Sequence, residues 1–140
     1  FLFLLCVIVM FFLDRFYPMQ KWLTRPYNLI GIMPLLLGIF MVVSTGKRFR
    51  KVKTQIHTFK VPKKLVTNGL FQYSRNPIYL GFTIALLGIA FLFGSLTSLI
   101  PVLFFFLVAN FWYIPFEEKN MKRVFGQSYL FYRRKVRRWL

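Results

Sequence analysis

The sequence predicts an all-α integral membrane protein, a helical bundle of about four transmembrane helices with a C-terminal amphipathic helix. Three observations lead to this prediction: 57% of the 140 residues are hydrophobic, the apolar residues fall into four runs, and basic residues flank those runs. A soluble domain of this size has too little interior to bury so much apolar surface. We therefore expect a single membrane domain over residues 1–140.

Four apolar runs are predicted to cross the bilayer as helices. They cover residues 1–13, 27–44, 77–93 and 99–116. A helix needs about 20 residues to cross the hydrocarbon core, so we expect the short first run to begin upstream of Phe1 or to be truncated. Only five residues, GSLTS, separate the last two runs. This short turn predicts an antiparallel helical hairpin.

Lysine and arginine are distributed unevenly between the predicted loops. Residues 45–76 carry nine and residues 117–140 carry eight, whereas residues 14–26 carry three and residues 94–98 carry none. With four crossings the two basic segments lie on one side, which the positive-inside rule makes cytoplasmic. The net charge of +17 predicts contact with anionic lipids. Nucleic acid is not an expected partner, because the basic residues flank apolar runs and form no recognition motif.

Both cytoplasmic segments, 47–76 and 117–140, are expected to help form a site. Residues 47–66 mix basic and apolar side chains and are predicted to lie at the membrane interface. In the tail, apolar residues recur every three or four positions, which predicts an amphipathic helix. They are Met121, Val124, Phe125, Tyr129, Tyr132, Val136 and Trp139. This helix would lie on anionic lipid, cover a site at the membrane surface, or do both.

A polar segment, YSRNPIYLG at residues 73–81, precedes the third run. Asn76 and Pro77 have a structural explanation, because Asn is a good N-cap and Pro suits the first helical position. The helix start also presents free N–H groups that favour anions. Arg75 adds a planar guanidinium suited to a carboxylate or phosphate, or it reaches lipid phosphate. Gly69 either turns the chain or lets a ligand approach the backbone.

Apart from Asp14, the acidic residues are Glu117 and Glu118, directly after the fourth run. Two acids at a membrane boundary need cationic partners, which nearby lysines and arginines supply in the simplest interpretation. Because the hairpin has spans of similar length, residues 73–81 should also face residues 113–118. A pocket between them would suit a zwitterion such as S-adenosylmethionine, a lipid headgroup or an amino acid. No metal is expected, because the single cysteine and single histidine form no ligand set.

Two blocks of the sequence, LVTNGLFQYSRNPIYLG and the later EEKNMKRVFGQSYLFYRRKVRRWL, resemble the isoprenylcysteine carboxyl methyltransferase and phospholipid methyltransferase superfamily. The resemblance covers roughly residues 60–140. It implies a membrane enzyme that uses S-adenosylmethionine without a soluble Rossmann domain. Where the eukaryotic carboxyl methyltransferases have histidine, this chain has Asn76, which is similar to the bacterial-type branch with its varied acceptors.

The resemblance also implies roles for individual residues. The implied cofactor-binding residues are Gly69, Arg75, Asn76, Pro77, Tyr79, Gly81, Glu117 and Glu118. The implied catalytic residues are Arg75, Glu117 and Arg138. The arginines would orient a carboxylate acceptor, or a glutamate would accept the proton of an amine acceptor. The tail, with Tyr129 and Tyr132, would fold over the site.

The leading hypothesis is therefore a membrane methyltransferase that uses S-adenosylmethionine and acts on a lipophilic small molecule, a lipid or an isoprenylcysteine-like acceptor. Its active site would face the cytoplasm, and the membrane would be the inner or plasma membrane if the source is bacterial. Methyl transfer to a nucleophile requires mainly alignment and a dry pocket. Two alternatives remain open: an NADPH-dependent membrane reductase of the sterol-reductase type, and a non-catalytic lipid-binding scaffold.

Overall fold

The structure is a computed structural model that confirms the all-α class over the residues it describes. Those residues are 1–17, 20–51 and 64–140. Within these ranges the backbone is helical, apart from connections and one isolated antiparallel bridge between Lys21 and Ser95. The predicted interfacial segment 47–66 falls mostly outside the described residues.

Five α-helices follow one another along the described ranges. They are α1 (Leu2–Phe16), α2 (Ile32–Lys51), α3 (Pro77–Phe93), α4 (Leu99–Val108) and α5 (Ile114–Lys135). Short 3-10 turns lie at Tyr27–Gly31, Gly69–Gln72 and Leu96–Ser98. Two continuous helices, residues 27–51 and 96–135, are long and apolar enough to cross a membrane by length and composition. The apolar helix α3 is shorter, so four crossings stay a prediction.

Helix α3 contacts α1, α2 and α4 and has the bounds that the sequence predicts. Pro77 lies in its first turn, and Gly94 ends it with a φ of 75°, a left-handed conformation that glycine adopts without strain. The carbonyl oxygen of Gly94 accepts the backbone N–H groups of Trp22 and Leu23 at 3.0 and 3.3 Å. The chain before α2 is thereby fixed to the turn between α3 and α4.

Glycines bring the backbones of α2 and α3 into close contact. A Cβ atom on Gly38 would collide with the carbonyl oxygen of Gly81, and one on Gly88 would collide with the backbone of Leu35. Small residues at helix crossings permit this approach in membrane bundles. Gly81, a predicted cofactor-binding residue, is thus accounted for by its packing against α2, and its cofactor role stays a prediction.

Helix α4 continues through a π-helical turn, Ala109–Tyr113, into α5. Helix α5 is interrupted at Gly126, where φ is 49° and ψ is −121°. It ends at Lys135, and Val136 is extended. The prediction that Val136 and Trp139 continue an amphipathic helix is therefore wrong. Residues 136–140 form a non-helical segment, which we call the strap.

Two groups of buried apolar residues position the strap. The bundle core comprises Cys6, Met10, Leu86, Ala90, Val102, Phe105 and Ala109. A second core comprises Val66, Phe71, Tyr129 and Tyr132. Trp139 packs against the bundle core and Val136 against the second core. The two residues between them, Arg137 and Arg138, consequently link a residue on one core to a residue on the other.

Candidate active site

Glu118 is the centre of an ionic cluster that joins three parts of the chain. One carboxylate oxygen, Oε1, lies 3.1 Å from Nη1 of Arg75 and accepts Nε–H of Arg138 at 3.2 Å. The other oxygen, Oε2, accepts Nη2–H of Arg138 at 2.8 Å. Arg138 therefore binds the carboxylate with two parallel hydrogen bonds, the strongest arrangement for this pair. As the hairpin geometry predicts, the start of α3 faces the glutamates.

Most of this cluster is shielded from solvent. The side chains of Arg75 and Glu118 are 9% and 12% exposed, whereas that of Arg138 is 32% exposed. Removing charges from water is costly, so such a pair needs further hydrogen bonds. Nη1–H of Arg75 donates one to the hydroxyl oxygen of Tyr129 at 3.2 Å. Burial raises the pKa of Tyr129, which keeps its phenol neutral.

One buried donor of Arg75 has no acceptor in the part of the chain that the structure describes. Its Nε atom is buried and lacks a hydrogen-bond partner within the described residues. An unsatisfied buried donor costs about 1–3 kcal/mol and calls for an explanation such as a ligand. The donor lies beside the start of α3, where free N–H groups add positive potential. This combination can hold an anionic group.

Glu117 accepts a hydrogen bond from one member of a stacked pair of tyrosines. The Tyr79 hydroxyl donates to Oε1 of Glu117 at 2.7 Å. The Tyr79 ring stacks on that of Tyr113, with centroids 6.0 Å apart and planes 10° apart. Glu118 thus binds two guanidinium groups, and a phenol is one of the groups that bind Glu117.

The strap lies along the segment before α3 and fastens it with backbone contacts. The backbone N–H of Arg75 donates to the carbonyl oxygen of Arg137 at 3.0 Å. The carbonyl oxygen of Arg138 accepts Oγ–H of Ser74 at 3.3 Å and Nδ2–H of Asn76 at 3.0 Å. Asn76 occupies the predicted N-cap position, but its side chain makes no capping bond within the described residues. It binds the strap instead.

The strap also contacts the π-helical turn between α4 and α5. The indole Nε1–H of Trp139 donates to Oδ1 of Asn110 at 3.0 Å, and its ring stacks on Phe106 with centroids 4.8 Å apart. Nη1–H of Arg138 points at both oxygens of Asn110 at 3.4 Å. The sequence analysis predicted no role for Asn110 or Ser74. For Asn110 a signal was present, because it is an amide inside an apolar run.

The other predicted site residues lie around this cluster. Gly69 has a φ of 68° and lies beside the side chain of Arg48. Pro77 is buried in the first turn of α3. Tyr132 lies in the second core, where burial raises its pKa and its hydroxyl donates to the carbonyl oxygen of Phe71 at 2.7 Å. The ligand-binding roles of Gly69 and Pro77 stay predictions.

Comparison with known proteins identifies relatives of the chain. A family model described as phospholipid methyltransferase matches residues 27–128. Protein-S-isoprenylcysteine O-methyltransferase B of Arabidopsis thaliana is 29% identical over 133 residues, which cover 86% of this chain and 62% of that protein. The probable protein-S-isoprenylcysteine O-methyltransferase of Oryza sativa subsp. indica is 30% identical over 113 residues, 76% of this chain and 57% of that protein.

A shorter match has higher identity. Protein-S-isoprenylcysteine O-methyltransferase of Schizosaccharomyces pombe is 40% identical over 74 residues, which cover 51% of this chain and 30% of that protein. The chain thus spans less than two thirds of the length of each of these relatives. No solved structure matches it.

Proposed function

The chain belongs to the phospholipid methyltransferase family, and from that membership we propose that it is an integral membrane methyltransferase that uses S-adenosylmethionine. The proposed acceptor is a lipophilic small molecule, a lipid or an isoprenylcysteine-like compound. The observation that carries the proposal is the buried cluster of Arg75 and Glu118, both of which lie inside the matched region. A family relation alone would leave the site unassigned.

The residues of the cluster fit the proposed cofactor. S-adenosylmethionine bears a carboxylate, an ammonium group, a sulfonium centre and a flat adenine. The unpartnered Nε–H of Arg75 and the start of α3 suit the carboxylate. Glu117 and Glu118 suit the ammonium group, and the stacked rings of Tyr79 and Tyr113 suit a cation or an aromatic face. When bound, the cofactor supplies a methyl group on a positively charged sulfur.

The chain's own residues would then orient the acceptor and exclude water. Arg138 is the more exposed of the two cluster arginines, so we assign it to an anionic group of the acceptor. If the acceptor is an amine, Glu117 is the proposed proton acceptor, because the Tyr79 hydrogen bond holds it at a fixed position. Tyr129 and the strap cover the cluster and keep it dry, which favours transfer over hydrolysis.

We further propose that the cluster lies at the cytoplasmic surface. The tail that follows the glutamates carries eight lysines and arginines, which the positive-inside rule assigns to the cytoplasm. The same charges would hold anionic lipid around the site. An acceptor with an apolar tail would therefore enter from the bilayer while its reactive group meets the cluster at the interface.

Calorimetric titration with S-adenosylhomocysteine tests this proposal on purified protein in detergent and in lipid nanodiscs. We expect saturable binding of S-adenosylhomocysteine and none of NADPH. Binding of NADPH alone would support the reductase alternative, and binding of neither would support the non-catalytic scaffold. Incubation of membranes with methyl-labelled cofactor, followed by identification of the labelled product, would then identify the acceptor.

A further inference from the structure

Asn110 is an unusual residue for its place in the fold. It is the only side-chain amide within the apolar run 99–116, and it lies in the π-helical turn Ala109–Tyr113. π-helical turns inside α-helices are uncommon and occur frequently at functional sites. A polar side chain in a membrane helix is costly unless it has a partner, and it commonly binds another part of the protein.

The partners of Asn110 are two consecutive residues of the strap. Its side-chain oxygen accepts a hydrogen bond of good length, 3.0 Å, from the Trp139 indole. Its side-chain and backbone oxygens both lie 3.4 Å from Nη1 of Arg138, where the bonds are long and weak singly. The strap is therefore attached to the hairpin by an amide and to the segment before α3 by backbone bonds.

These contacts determine where the Arg138 guanidinium lies. Its Nε and Nη2 atoms bind Glu118, and its remaining Nη1 atom is directed at Asn110. The next residue, Trp139, is fixed both by Asn110 and by stacking on Phe106. If the amide were absent, the guanidinium would keep Glu118 and the backbone oxygen of Asn110. It would lose the side-chain oxygen of Asn110 and the anchor of its neighbour, Trp139.

We propose that Asn110 is a positioning residue of the transfer site, which holds the strap through Trp139 so that Arg138 stays against Glu118. This inference rests on the proposed function for its kinetic part. Asn110 acts through Arg138 and not on the reacting atoms. Its loss should therefore lower the rate of methyl transfer more than the affinity for the cofactor.

The first test needs no activity. Replacing Trp22 and Trp112 with Phe leaves Trp139 as the single tryptophan of the three, and iodide quenching then reports how well its indole is seated. Asn110→Leu has similar volume and higher helix propensity, but removes the acceptor, so we expect quenching to rise about threefold. Asn110→Asp keeps an acceptor and should stay close to the parent. Equal quenching in the single-tryptophan parent, in Asn110→Leu and in Asn110→Asp would overturn the proposal.

The second test measures kinetics on the same substitutions without the tryptophan changes. Asn110→Leu should lower kcat about tenfold and change the dissociation constant of S-adenosylhomocysteine by less than about threefold. Asn110→Asp should retain most of kcat, and Asn120→Leu, the same change further along the helix, should match wild type. An Asp variant as impaired as the Leu variant would show that the loss does not come from the missing acceptor oxygen, and would overturn the proposal.

A third variant covers the case in which Asn110→Leu does not fold. Trp139→Phe keeps an aromatic ring on Phe106 but removes the indole donor, so it should reproduce the loss of kcat. Normal kcat in Trp139→Phe would overturn the proposal. Failure of wild type to bind S-adenosylhomocysteine would instead overturn the proposed function and leave the quenching result standing.

Discussion

The two ends of the helix bundle both bury polar groups, but they satisfy them differently. At the turn between α3 and α4, the Ser95 hydroxyl bonds to those of Thr97 and Ser98 at 2.9 and 3.0 Å, with partners at most three positions apart. At the opposite end, Ser74 bonds to the carbonyl of Arg138, which is 64 positions away. The chain before α2 also reaches the first end, through backbone bonds to Gly94, but the buried hydroxyl groups there satisfy one another within one turn. At the second end, charged side chains from distant segments meet.

This difference separates a stabilising cluster from a candidate site. Hydroxyl groups within one turn satisfy each other and carry no charge, so they require nothing beyond the fold. The opposite end buries Arg75 against Glu118, an arrangement that contributes little net stability because desolvation offsets the attraction. It also leaves Nε of Arg75 without an acceptor among the described residues. Stability does not explain these features, and they are the basis on which we propose a bound zwitterion.

The largest effect should come from removing the charge at the centre of the cluster. Glu118→Gln leaves the guanidinium groups of Arg75 and Arg138 facing an uncharged amide, and the stability of the detergent-solubilised protein should fall by about 3 kcal/mol. Affinity for S-adenosylhomocysteine should fall by at least about 1.4 kcal/mol, or tenfold. Chemical denaturation and calorimetry measure the two. Unchanged affinity would remove Glu118 from the proposed site.

A smaller effect should come from a substitution that keeps the positive charge at position 75 but removes the planar guanidinium group. Arg75→Lys retains a cation for Glu118 but lacks the Nε–H donor and the fork that also reaches Tyr129. We expect cofactor affinity to fall about tenfold, with little change in the denaturation midpoint. Titration of Arg15→Lys gives the control, because Arg15 lies on α1 outside the cluster. If Arg75→Lys bound normally, charge alone would suffice.

Tyr79→Phe should have a weaker effect, since it removes one neutral donor from Glu117 and keeps the stacked ring. The loss of one hydrogen bond is worth about 1 kcal/mol, so kcat/KM should fall about fivefold. Tyr27→Phe is the matched control, because Tyr27 is exposed and lies before α2. Equal activity of Tyr79→Phe and wild type would indicate that Glu117 needs no fixed position.

The sequence was sufficient to predict the hairpin and the residues that meet across it. Asn76-Pro77 and Gly94 are strong local signals for the two ends of α3. Helices of similar length joined by a short turn have their open ends at the same depth. That geometry alone brings Arg75 to Glu118, without information on side-chain packing.

The strap could not be predicted, because its local pattern is misleading. Val136 and Trp139 continue the three- and four-residue spacing of the tail, yet the helix ends at Lys135. Trp139 instead stacks on Phe106 and donates a hydrogen bond to Asn110. Tertiary contacts of this kind override helical propensity and leave no periodic trace in the sequence. The N-cap prediction for Asn76 failed in part for the same reason, since its amide binds the strap.

The smallest effect on function should come from the opposite end of the bundle. Ser95→Ala removes the hydroxyl that bonds to Thr97 and Ser98, so these two groups, which are also buried, lose a partner. The free energy of unfolding should fall by about 1 kcal/mol. Methyl transfer and cofactor affinity should stay within about twofold of wild type, because sites this far apart act independently.

A loss of activity comparable to that of Tyr79→Phe would show that the two ends are coupled. In that case the division between a stabilising end and a ligand-binding end would not hold, since the α3–α4 turn would help to set the geometry at Glu118.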